Sequence, residues 1–481
     1  MTIKPSMLRI LPILATLLML PACATLDKVN PFSKGDQQVD QGDIPDHSDR
    51  LTILSLGDKL TIGTEITPAD VKLPAPYVNT EWPQPGGNQY HAMQHTAASG
   101  PLTTAWSKDI GKGSSAKGRV VAQPVIANGV IYAMDGSNMI TAMQESNGDK
   151  LWSLRVAVES TGKTRKGKTG VIERVKRPFT LFGDKGGDDV EAIGGGLSYD
   201  SGRLFVSSGY GAMLSLDAQT GAEIWRTKTR TPLHSAPTVS GGRVYAVTDD
   251  NEIFAFDADK GEVLWTYQAI IESARMLTSP SVAVVDDVVI APFASGEIVA
   301  LRAQNGGVLW QDALSSSGKL TPLSSLNDIG AGPVIADGYV FATAQSGVLS
   351  AFDLRTGTRI WSQPAGALGY PAVAGEFIYV VTTGGNVVCM SRTDGSVVWM
   401  TQLDVYENAK KKKHRIAWTG PILAGDRILV AGSNGQGVTL NPYNGTVKRS
   451  FKIGDSVFIP PIVANETVYM LTDDAKLVAL K

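Results

Sequence analysis

The chain has 481 residues, a formal net charge of −2 at pH 7, and a hydrophobic share of 43%. That balance supplies enough apolar material for a large folded core, and the near-zero charge excludes a general electrostatic affinity for nucleic acids. Only two cysteines occur, Cys23 and Cys389, which excludes a fold held together by a framework of disulfides.

The first 22 residues have the pattern of a bacterial export signal. Lys4 and Arg9 supply positive charge, and Ile10–Leu20 supply a short apolar stretch that ends in LPAC. A leucine three residues before a cysteine, with a small residue between them, is typical of a lipoprotein signal. We therefore predict cleavage before Cys23 and its diacylation, with Ala24 favouring sorting to the outer membrane. The alternative is an ordinary secretory signal with an incidental cysteine.

The segment that follows, residues 23–75, is rich in Asp, Gln, Gly, Lys and Pro. This composition is typical of a flexible tether. Within it, LTILSL (51–56) alternates apolar and polar residues and is compatible with one short strand. The folded domain is predicted to comprise residues 76–481.

A repeat dominates this domain. Glycine followed four residues later by tryptophan recurs, as in LDAQTGAEIW and FDADKGEVLW, and a further copy keeps Gly445 but has Arg449 in the tryptophan position. Runs such as SAPTVSGGRVYAVTD precede the copies, so that each unit has the pattern of four short strands joined by Gly-, Asp- and Asn-rich turns. Four strands recurring every ~40–50 residues are typical of a propeller blade. The sequence therefore predicts an all-β, eight-bladed β-propeller.

The eighth unit ends at Lys481 after three strands, whereas LTTAWSKDIG (102–111) carries a tryptophan with no strands of its own before it. Pairing this N-terminal segment with the last three strands closes the ring and hides both edges. An open β-array and a seven-bladed ring are the alternatives. We expect one group of tryptophans to dock between neighbouring blades: Trp106, Trp152, Trp225, Trp265, Trp310, Trp361 and Trp399.

Two insertions interrupt the repeat, at 153–193 and 405–418. The first is basic and then acidic, and is expected to be an exposed loop. The second contains the run Lys410–Lys413, whose charge suits phosphates or anionic lipid but is more typical of a solvated loop.

The sequence offers no clear catalytic or metal motif. His91 and His95 have a spacing that suits a metal on a helix, but the glycines and prolines of PQPGGNQYHAMQHTAASGP argue against a helix there. Turns such as DADKG lack the acid spacing of a calcium loop, and no Gly-x-Ser-x-Gly elbow or zinc motif occurs. We therefore expect no catalytic residue, no metal and no cofactor.

The repeats, as in FDLRTGTRIW, resemble those of quinoprotein dehydrogenases, eight-bladed propellers that hold pyrroloquinoline quinone and calcium. That resemblance implies a cofactor-dependent enzyme with two adjacent cysteines over the quinone. Cys389 has no neighbouring cysteine, and no set of calcium ligands is recognisable. A quinoprotein-like dehydrogenase is thus the alternative function, and a sugar- or peptidoglycan-binding propeller is a third.

The lipoprotein signal, the eight repeats, the closing strand and the segment APYVNTEWPQPGGNQYHAMQH (75–95) together resemble the BamB family over nearly the whole mature chain. This family comprises lipoproteins of the outer-membrane β-barrel assembly machinery. The resemblance implies a non-enzymatic scaffold on the periplasmic face of the outer membrane, anchored through Cys23. It implies as partners the periplasmic (POTRA) domains of BamA and unfolded outer-membrane β-barrel proteins, but no nucleic acid.

The resemblance also implies a partner-binding surface made by two loops on neighbouring blades. One carries an arginine five residues before a proline, as Arg275 stands before Pro280. The other has the pattern Asp-x-Asp-x-x-Pro, which Asp328 and Pro333 match and from which Gly330 departs. A pair between Arg275 and Asp328 would orient the arginine toward a carboxylate of the partner. The alternative is a loop arginine and a loop aspartate without a partner.

Overall fold

The computed structural model describes residues 60–156, 194–272, 280–314 and 328–481. These residues contain eight four-stranded sheets, each forming one blade of a ring. The eight-bladed propeller predicted from the sequence is thereby confirmed, in place of a seven-bladed ring or an open array. The predicted signal peptide and Cys23 lie outside the described residues.

The first strand, β1 (Thr104–Asp109), precedes blade 1 in the sequence, and the blades then follow one another in chain order. In blades 1 to 4, each made of four consecutive strands, the strands are β2 (Val125–Ala127), β3 (Val130–Met134), β4 (Met139–Gln144), β5 (Lys150–Arg155), β6 (Gly195–Asp200), β7 (Arg203–Ser208), β8 (Ala212–Asp217), β9 (Glu223–Lys228), β10 (Thr238–Ser240), β11 (Arg243–Val247), β12 (Glu252–Asp257), β13 (Val263–Gln268), β14 (Ala283–Val285), β15 (Val288–Pro292), β16 (Glu297–Arg302) and β17 (Val308–Ala313).

Blades 5, 6 and 7 repeat this plan, a two-stranded hairpin lies between blades 6 and 7, and the last three strands belong to blade 8. These strands are β18 (Val334–Ala336), β19 (Tyr339–Ala344), β20 (Val348–Asp353), β21 (Arg359–Gln363), β22 (Ala372–Ala374), β23 (Phe377–Val381), β24 (Asn386–Ser391), β25 (Val397–Gln402), the hairpin β26 (Tyr406–Asn408) and β27 (Lys413–Arg415), then β28 (Trp418–Leu423), β29 (Ile428–Gly432), β30 (Gln436–Leu440), β31 (Val447–Lys452), β32 (Ile462–Ala464), β33 (Thr467–Leu471) and β34 (Lys476–Leu480).

Blade 8 is completed by β1, which pairs antiparallel with β34. The residues just outside the pair continue the ladder, since the Thr103 N–H donates to the Lys481 carbonyl at 2.6 Å and the Lys481 N–H donates to Thr103 at 2.9 Å. The predicted closing strand is thus confirmed, and the outer edge of β34 is covered.

The burial pattern of a blade follows from the position of each strand. The first strand is innermost and short, and all three residues of β2 are buried. The fourth strand lies at the rim, and in β13 only Trp265 is buried. Beside that tryptophan the register between β12 and β13 shifts, so that Leu264 is left without a partner residue and its side chain is exposed. Such a bulge bends the rim strand and turns the indole toward the next blade.

Residues 60–75 were expected to belong to the flexible tether, but they pack against blade 6. The Gly63 N–H donates to the Val397 carbonyl at 2.8 Å, and Val71 is buried in the core between blades 6 and 7. A 3-10 turn, Pro68–Asp70, lies between these two contacts. Leu60 and Leu73 also pack on the core, so apolar residues spaced through a polar segment are enough to hold it on the ring.

No helix in the described part of the chain is both long and apolar enough to cross a membrane.

Candidate functional site

The two loops predicted to bind a partner belong to connections that start and end on the same face of the propeller. We call this the loop face, because the connections from the rim strand of one blade to the innermost strand of the next start and end on it, as does the turn between the second and third strands of each blade. The opposite face, which carries the turns between the first and second and between the third and fourth strands, is the turn face. Arg275 belongs to the connection between β13 and β14, and Asp328 to that between β17 and β18. These are consecutive junctions in the ring. Arg275 lies outside the described residues, and so does any pairing of Arg275 with Asp328.

Asp328 occupies a different environment from the one its loop position predicted. It is only 4% exposed, and its carbonyl accepts a hydrogen bond from the Gln345 N–H at 2.9 Å. The next residue, Ile329, is fully buried. In this arrangement the Asp328 side chain cannot contact a partner directly, and its position suits a residue that orders the loop.

Exposed aliphatic residues begin the connection to which Arg275 belongs. Ile270 is 60% exposed and Ile271 is 66% exposed. Ile270 is held from two sides, because its N–H donates to Glu297 at 3.0 Å and its carbonyl accepts from the Asn251 side chain at 2.6 Å. Adjacent exposed isoleucines on a fixed backbone are typical of a contact surface. The sequence analysis missed them, although aliphatic residues directly after a rim strand were the available signal.

A cavity of about 300 Å³ lies on the axis of the ring. Its walls come from residues just before the innermost strands of most blades, and Phe458 and Arg119 also contribute. The lining is mainly apolar, and two polar residues in it bond to each other, since the Ser114 hydroxyl donates to Asp473 at 2.5 Å. The cavity can accept an apolar group, and nothing in its lining resembles a catalytic arrangement.

His91 lies below this cavity in a closed hydrogen-bond network. Its Nδ1–H donates to the Pro333 carbonyl at 2.6 Å, which leaves Nε2 to accept from the Ser281 hydroxyl at 3.0 Å. The Tyr370 hydroxyl lies 3.0 Å from Ser281 in turn. Burial lowers the pKa of His91 to about 4 and raises the pKa of Tyr370 to about 12, so both rings are neutral at pH 7.

His95 is bonded in the same manner. Its Nδ1–H donates to the Pro74 carbonyl at 2.8 Å, and its Nε2 accepts from the Asp426 N–H at 3.3 Å. The two histidines therefore hold backbone segments in place. No group of three or more His, Cys, Asp or Glu side chains within the described ranges is arranged to hold a metal ion.

Each tryptophan of the repeat contacts the following blade. The indole N–H of six of them donates to a carbonyl just after the third strand of that blade, in the pairs Trp152–Ala218 (3.1 Å), Trp225–Ala258 (3.0 Å), Trp265–Ala303 (2.9 Å), Trp310–Leu354 (2.8 Å), Trp361–Arg392 (3.0 Å) and Trp399–Pro442 (3.0 Å). Trp106 lies against Gly148 of blade 1. At the junction of blades 7 and 8, Arg449 stands in the tryptophan position and donates to the Pro101 carbonyl.

Cys389 lies inside blade 6, away from the axial cavity. It is fully buried in β24, with Tyr379 and Trp399 as its neighbours on the adjoining strands. Burial raises the pKa of its thiol well above the usual range. Within the described residues no cysteine lines the cavity, so Cys389 does not occupy the place of the cysteine pair expected in a quinoprotein.

The insertion at 405–418 forms the hairpin of β26 and β27. The run Lys410–Lys413 is exposed at its tip, and Arg415 donates to the Thr383 carbonyl at 2.8 Å. Most of the other insertion, 157–193, lies outside the described residues.

The fold and its repeats define the chain as an eight-bladed β-propeller of the PQQ-like repeat class. A family model described as outer membrane protein assembly factor BamB matches residues 174–401. Curated proteins of that name from Salmonella typhimurium and Escherichia coli are each 26% identical over 381 residues, covering 79% of this chain and 88% of the relative. The resemblance to the BamB family indicated by the sequence is confirmed.

Solved structures show the same fold. BamB from Moraxella catarrhalis superposes with a TM-score of 0.63 at 19% identity, covering 79% of this chain and 100% of that one. Quinohemoprotein alcohol dehydrogenase from Comamonas testosteroni reaches 0.58 at 13% identity, covering 83% and 80%. At these identities the likeness concerns architecture alone, so the second comparison does not favour a quinone-dependent activity.

Proposed function

We propose that this chain is a non-enzymatic scaffold lipoprotein of the outer-membrane β-barrel assembly complex, which binds the periplasmic domains of BamA and assists the folding and insertion of outer membrane proteins. The observation that carries the proposal is the match to relatives named outer membrane protein assembly factor BamB over 79% of this chain and 88% of theirs. This match supports a role in outer membrane protein assembly. That BamA is the partner, and where it is bound, are proposed in addition.

The contact surface proposed for BamA lies on the loop face at the junctions of blades 3, 4 and 5. Arg275 supplies a charge for a partner carboxylate, and the exposed Ile270 and Ile271 supply apolar area in the same connection. Arginine is enriched among the residues that carry most of the binding energy of an interface. Asp328, being buried, acts by ordering its loop.

The lipid anchor proposed at Cys23 keeps this surface near the membrane. An anchored scaffold and a membrane-embedded partner share a thin layer of space, which raises their effective concentration. The ring contributes rigidity, because six blades are bonded to the next one through an indole N–H.

Unfolded barrel proteins are the second proposed partner. The rim strands expose aliphatic residues together with an unpaired strand edge, as at Leu264 and Leu309. An extended segment of an unfolded protein can add to such an edge by β-augmentation.

The BamA proposal is tested by capture on immobilised BamA periplasmic domains. We expect wild-type protein to be retained, and Arg275→Glu and Ile270→Asp to bind at least roughly tenfold more weakly, as loss of a central interface residue predicts. Ile224→Asp is the matched control, because Ile224 is exposed on the rim of blade 2. Equal capture of all four proteins would remove the surface from consideration.

The enzyme alternative makes a separate prediction. A quinoprotein binds pyrroloquinoline quinone and calcium, which absorbance and calorimetric titration of the purified protein detect. We expect neither to bind, and saturable binding of the quinone would count against the scaffold.

A further inference from the structure

A segment ahead of β1 makes a complete lap of the propeller. Residues 79–99, which we call the belt, run around the turn face and bond to the blades in the order 8, 1, 2, 3, 4, 5, 6, 7 and 8 again. The belt contains no helix or strand, so its conformation is set by these contacts.

The bonds of the first half join the belt to blades 8, 1, 2 and 3: Asn79 Nδ2 to Val463 O (2.8 Å), Asn465 N to Asn79 O (2.7 Å), Trp82 N to Ile126 O (2.7 Å), Ile126 N to Trp82 O (2.9 Å), Tyr199 N to Pro83 O (2.7 Å), Gln84 Nε2 to Val239 O (2.9 Å) and Val239 N to Gln84 Oε1 (2.9 Å). The bonds of the second half join it to blades 4, 5, 6, 7 and 8: Val284 N to Gln89 O (2.6 Å), Ile335 N to Tyr90 O (2.9 Å), Gly375 N to Gln94 Oε1 (3.1 Å), Gly425 N to Thr96 O (2.9 Å), Thr96 Oγ1 to Leu423 O (2.9 Å) and Ser99 N to Glu466 O (3.3 Å).

These bonds satisfy groups that the blades themselves leave unpaired. The innermost strand of a blade has a partner strand on one side only, and its other edge faces the channel. Buried backbone groups on that edge need partners from elsewhere. Gln84 is the clearest example of such a partner. Its side-chain amide bonds to both the N–H and the carbonyl of Val239, as a neighbouring strand would.

The middle of the belt also closes one end of the channel. Pro85 lines the axial cavity, and Gly86, His91 and Met93 line a smaller space of about 40 Å³ next to it. His91 fixes this crossing, because its ring bonds to Ser281 ahead of blade 4 and to Pro333 ahead of blade 5.

We propose that the belt is a clasp that holds the eight blades as one cooperative unit and seals the turn face. The belt opens and closes as a whole, because releasing it at one blade loosens its hold on the neighbouring ones. While it is closed, the channel is a well that opens on the loop face, and no polypeptide passes through the ring.

Hydrogen exchange on the folded full-length chain tests this proposal, because each blade donates at least one backbone amide to the belt. The reporter amides are those of Ile126, Tyr199, Val239, Val284, Ile335, Gly375, Gly425 and Asn465. The perturbing variant is Gln84→Ala, which removes both bonds to Val239. The matched control is Gln89→Ala, because Gln89 bonds to blade 4 through its backbone carbonyl and the substitution leaves that bond in place.

We expect Gln84→Ala to accelerate exchange at Val239 roughly tenfold, as the loss of two buried hydrogen bonds predicts, and to accelerate Tyr199, Val284 and Ile335 by a similar factor. The amide of Val380, inside β23, should keep its rate, and Gln89→Ala should change none of these amides. Acceleration confined to Val239, or no acceleration at all, overturns the clasp. Equal acceleration at Val380 also overturns it, because the belt would then be released only when the blades themselves unfold.

A second variant keeps the test available if Gln84→Ala does not fold. Gln94→Ala removes only the acceptor for the Gly375 N–H at blade 6. The proposal expects faster exchange at Gly375 together with Ile335 and Gly425, and a change at Gly375 alone contradicts it.

Discussion

Trp106 packs against Gly148 across the seam of the ring. A Cβ atom on Gly148 would stand 2.8 Å from Cε3 of the indole, closer than side-chain carbons approach in proteins. Because Trp106 lies in β1 and Gly148 in blade 1, this contact joins the closing strand to the blade that follows it. The glycine and the tryptophan of the repeat therefore meet at the junctions between blades. The glycine of one blade packs against the tryptophan of the blade before it.

The first prediction is that Gly148→Ala is much more destabilising than Gly129→Ala. The two glycines have almost the same φ, 71° and 72°, so both substitutions carry the strain of a left-handed backbone, about 1–2 kcal/mol. Gly129 has nothing within 4 Å of its Cβ position, whereas at Gly148 the new methyl meets Trp106. Overpacking adds about 1–3 kcal/mol to the loss of unfolding free energy. Urea unfolding of both variants measures the difference, and equal midpoints would contradict the packing argument.

The second prediction concerns the indole hydrogen bonds between blades. Trp265→Phe keeps an aromatic ring but leaves the Ala303 carbonyl without its 2.9 Å donor. We expect a loss of about 1–3 kcal/mol in unfolding free energy, because a buried acceptor is left unsatisfied. Trp418→Phe is the comparison, since Trp418 donates to the Asp404 carbonyl at an exposed site where water replaces the indole. A loss at Trp418 as large as that at Trp265 would refute this account.

The third prediction is a loss of stability in acid that depends on His91. Burial lowers the pKa of His91 to about 4, whereas an unfolded histidine titrates near 6.5. Between these values the unfolded chain binds more protons than the folded one, so stability falls as the pH is lowered from about 6.5 to 4. The shift corresponds to a contribution of up to about 3 kcal/mol.

His91→Gln removes this contribution. Measured as unfolding free energy at pH 7 and pH 4.5, the wild type should lose more stability than the variant. The control is His414→Gln, on the exposed tip hairpin, which should keep the full dependence. An identical pH dependence in wild type and His91→Gln would show that His91 does not titrate as its burial implies.

The fourth prediction is that the Cys389 thiol is inert in the folded protein. It is fully buried, and the raised pKa keeps it in the unreactive thiol form at pH 8. In a Cys23→Ser background, a maleimide reagent should label the native protein only at the rate of unfolding, and label it at once in denaturant. Prompt labelling under native conditions would place Cys389 at an accessible site.

The sequence predicted the blades because each carries two independent signals. Period-2 alternation defines the strands, and the glycine and tryptophan spacing defines the rim turn, so the eight units and the closing β1 were recoverable. The belt was not, because PQPGGNQYHAMQH has no period, and half of its bonds to the inner strands use backbone carbonyls that any residue provides. The packing of residues 60–75 was not predicted for a related reason. The few apolar residues of this segment are separated by polar ones and form no recognisable pattern.

At the candidate site the sequence located the loops but not their exposure. Asp328 was expected on a surface loop, whereas the fold buries it next to Ile329. Burial at a loop depends on what the neighbouring blade presents, and no local pattern encodes that. Ile270 and Ile271 have the composition of core residues, and only the position of the rim strand reveals that they face outward.

The pairing of β1 with β34 sets the order of events during biosynthesis. These strands lie at opposite ends of the propeller sequence, and Thr103 and Lys481, just outside the pair, are 378 residues apart. A nascent chain therefore carries β1 as a lone edge until β34 has emerged, and non-local pairing of this kind is slow. A chain interrupted before β34 therefore leaves β1 unpaired and the ring open.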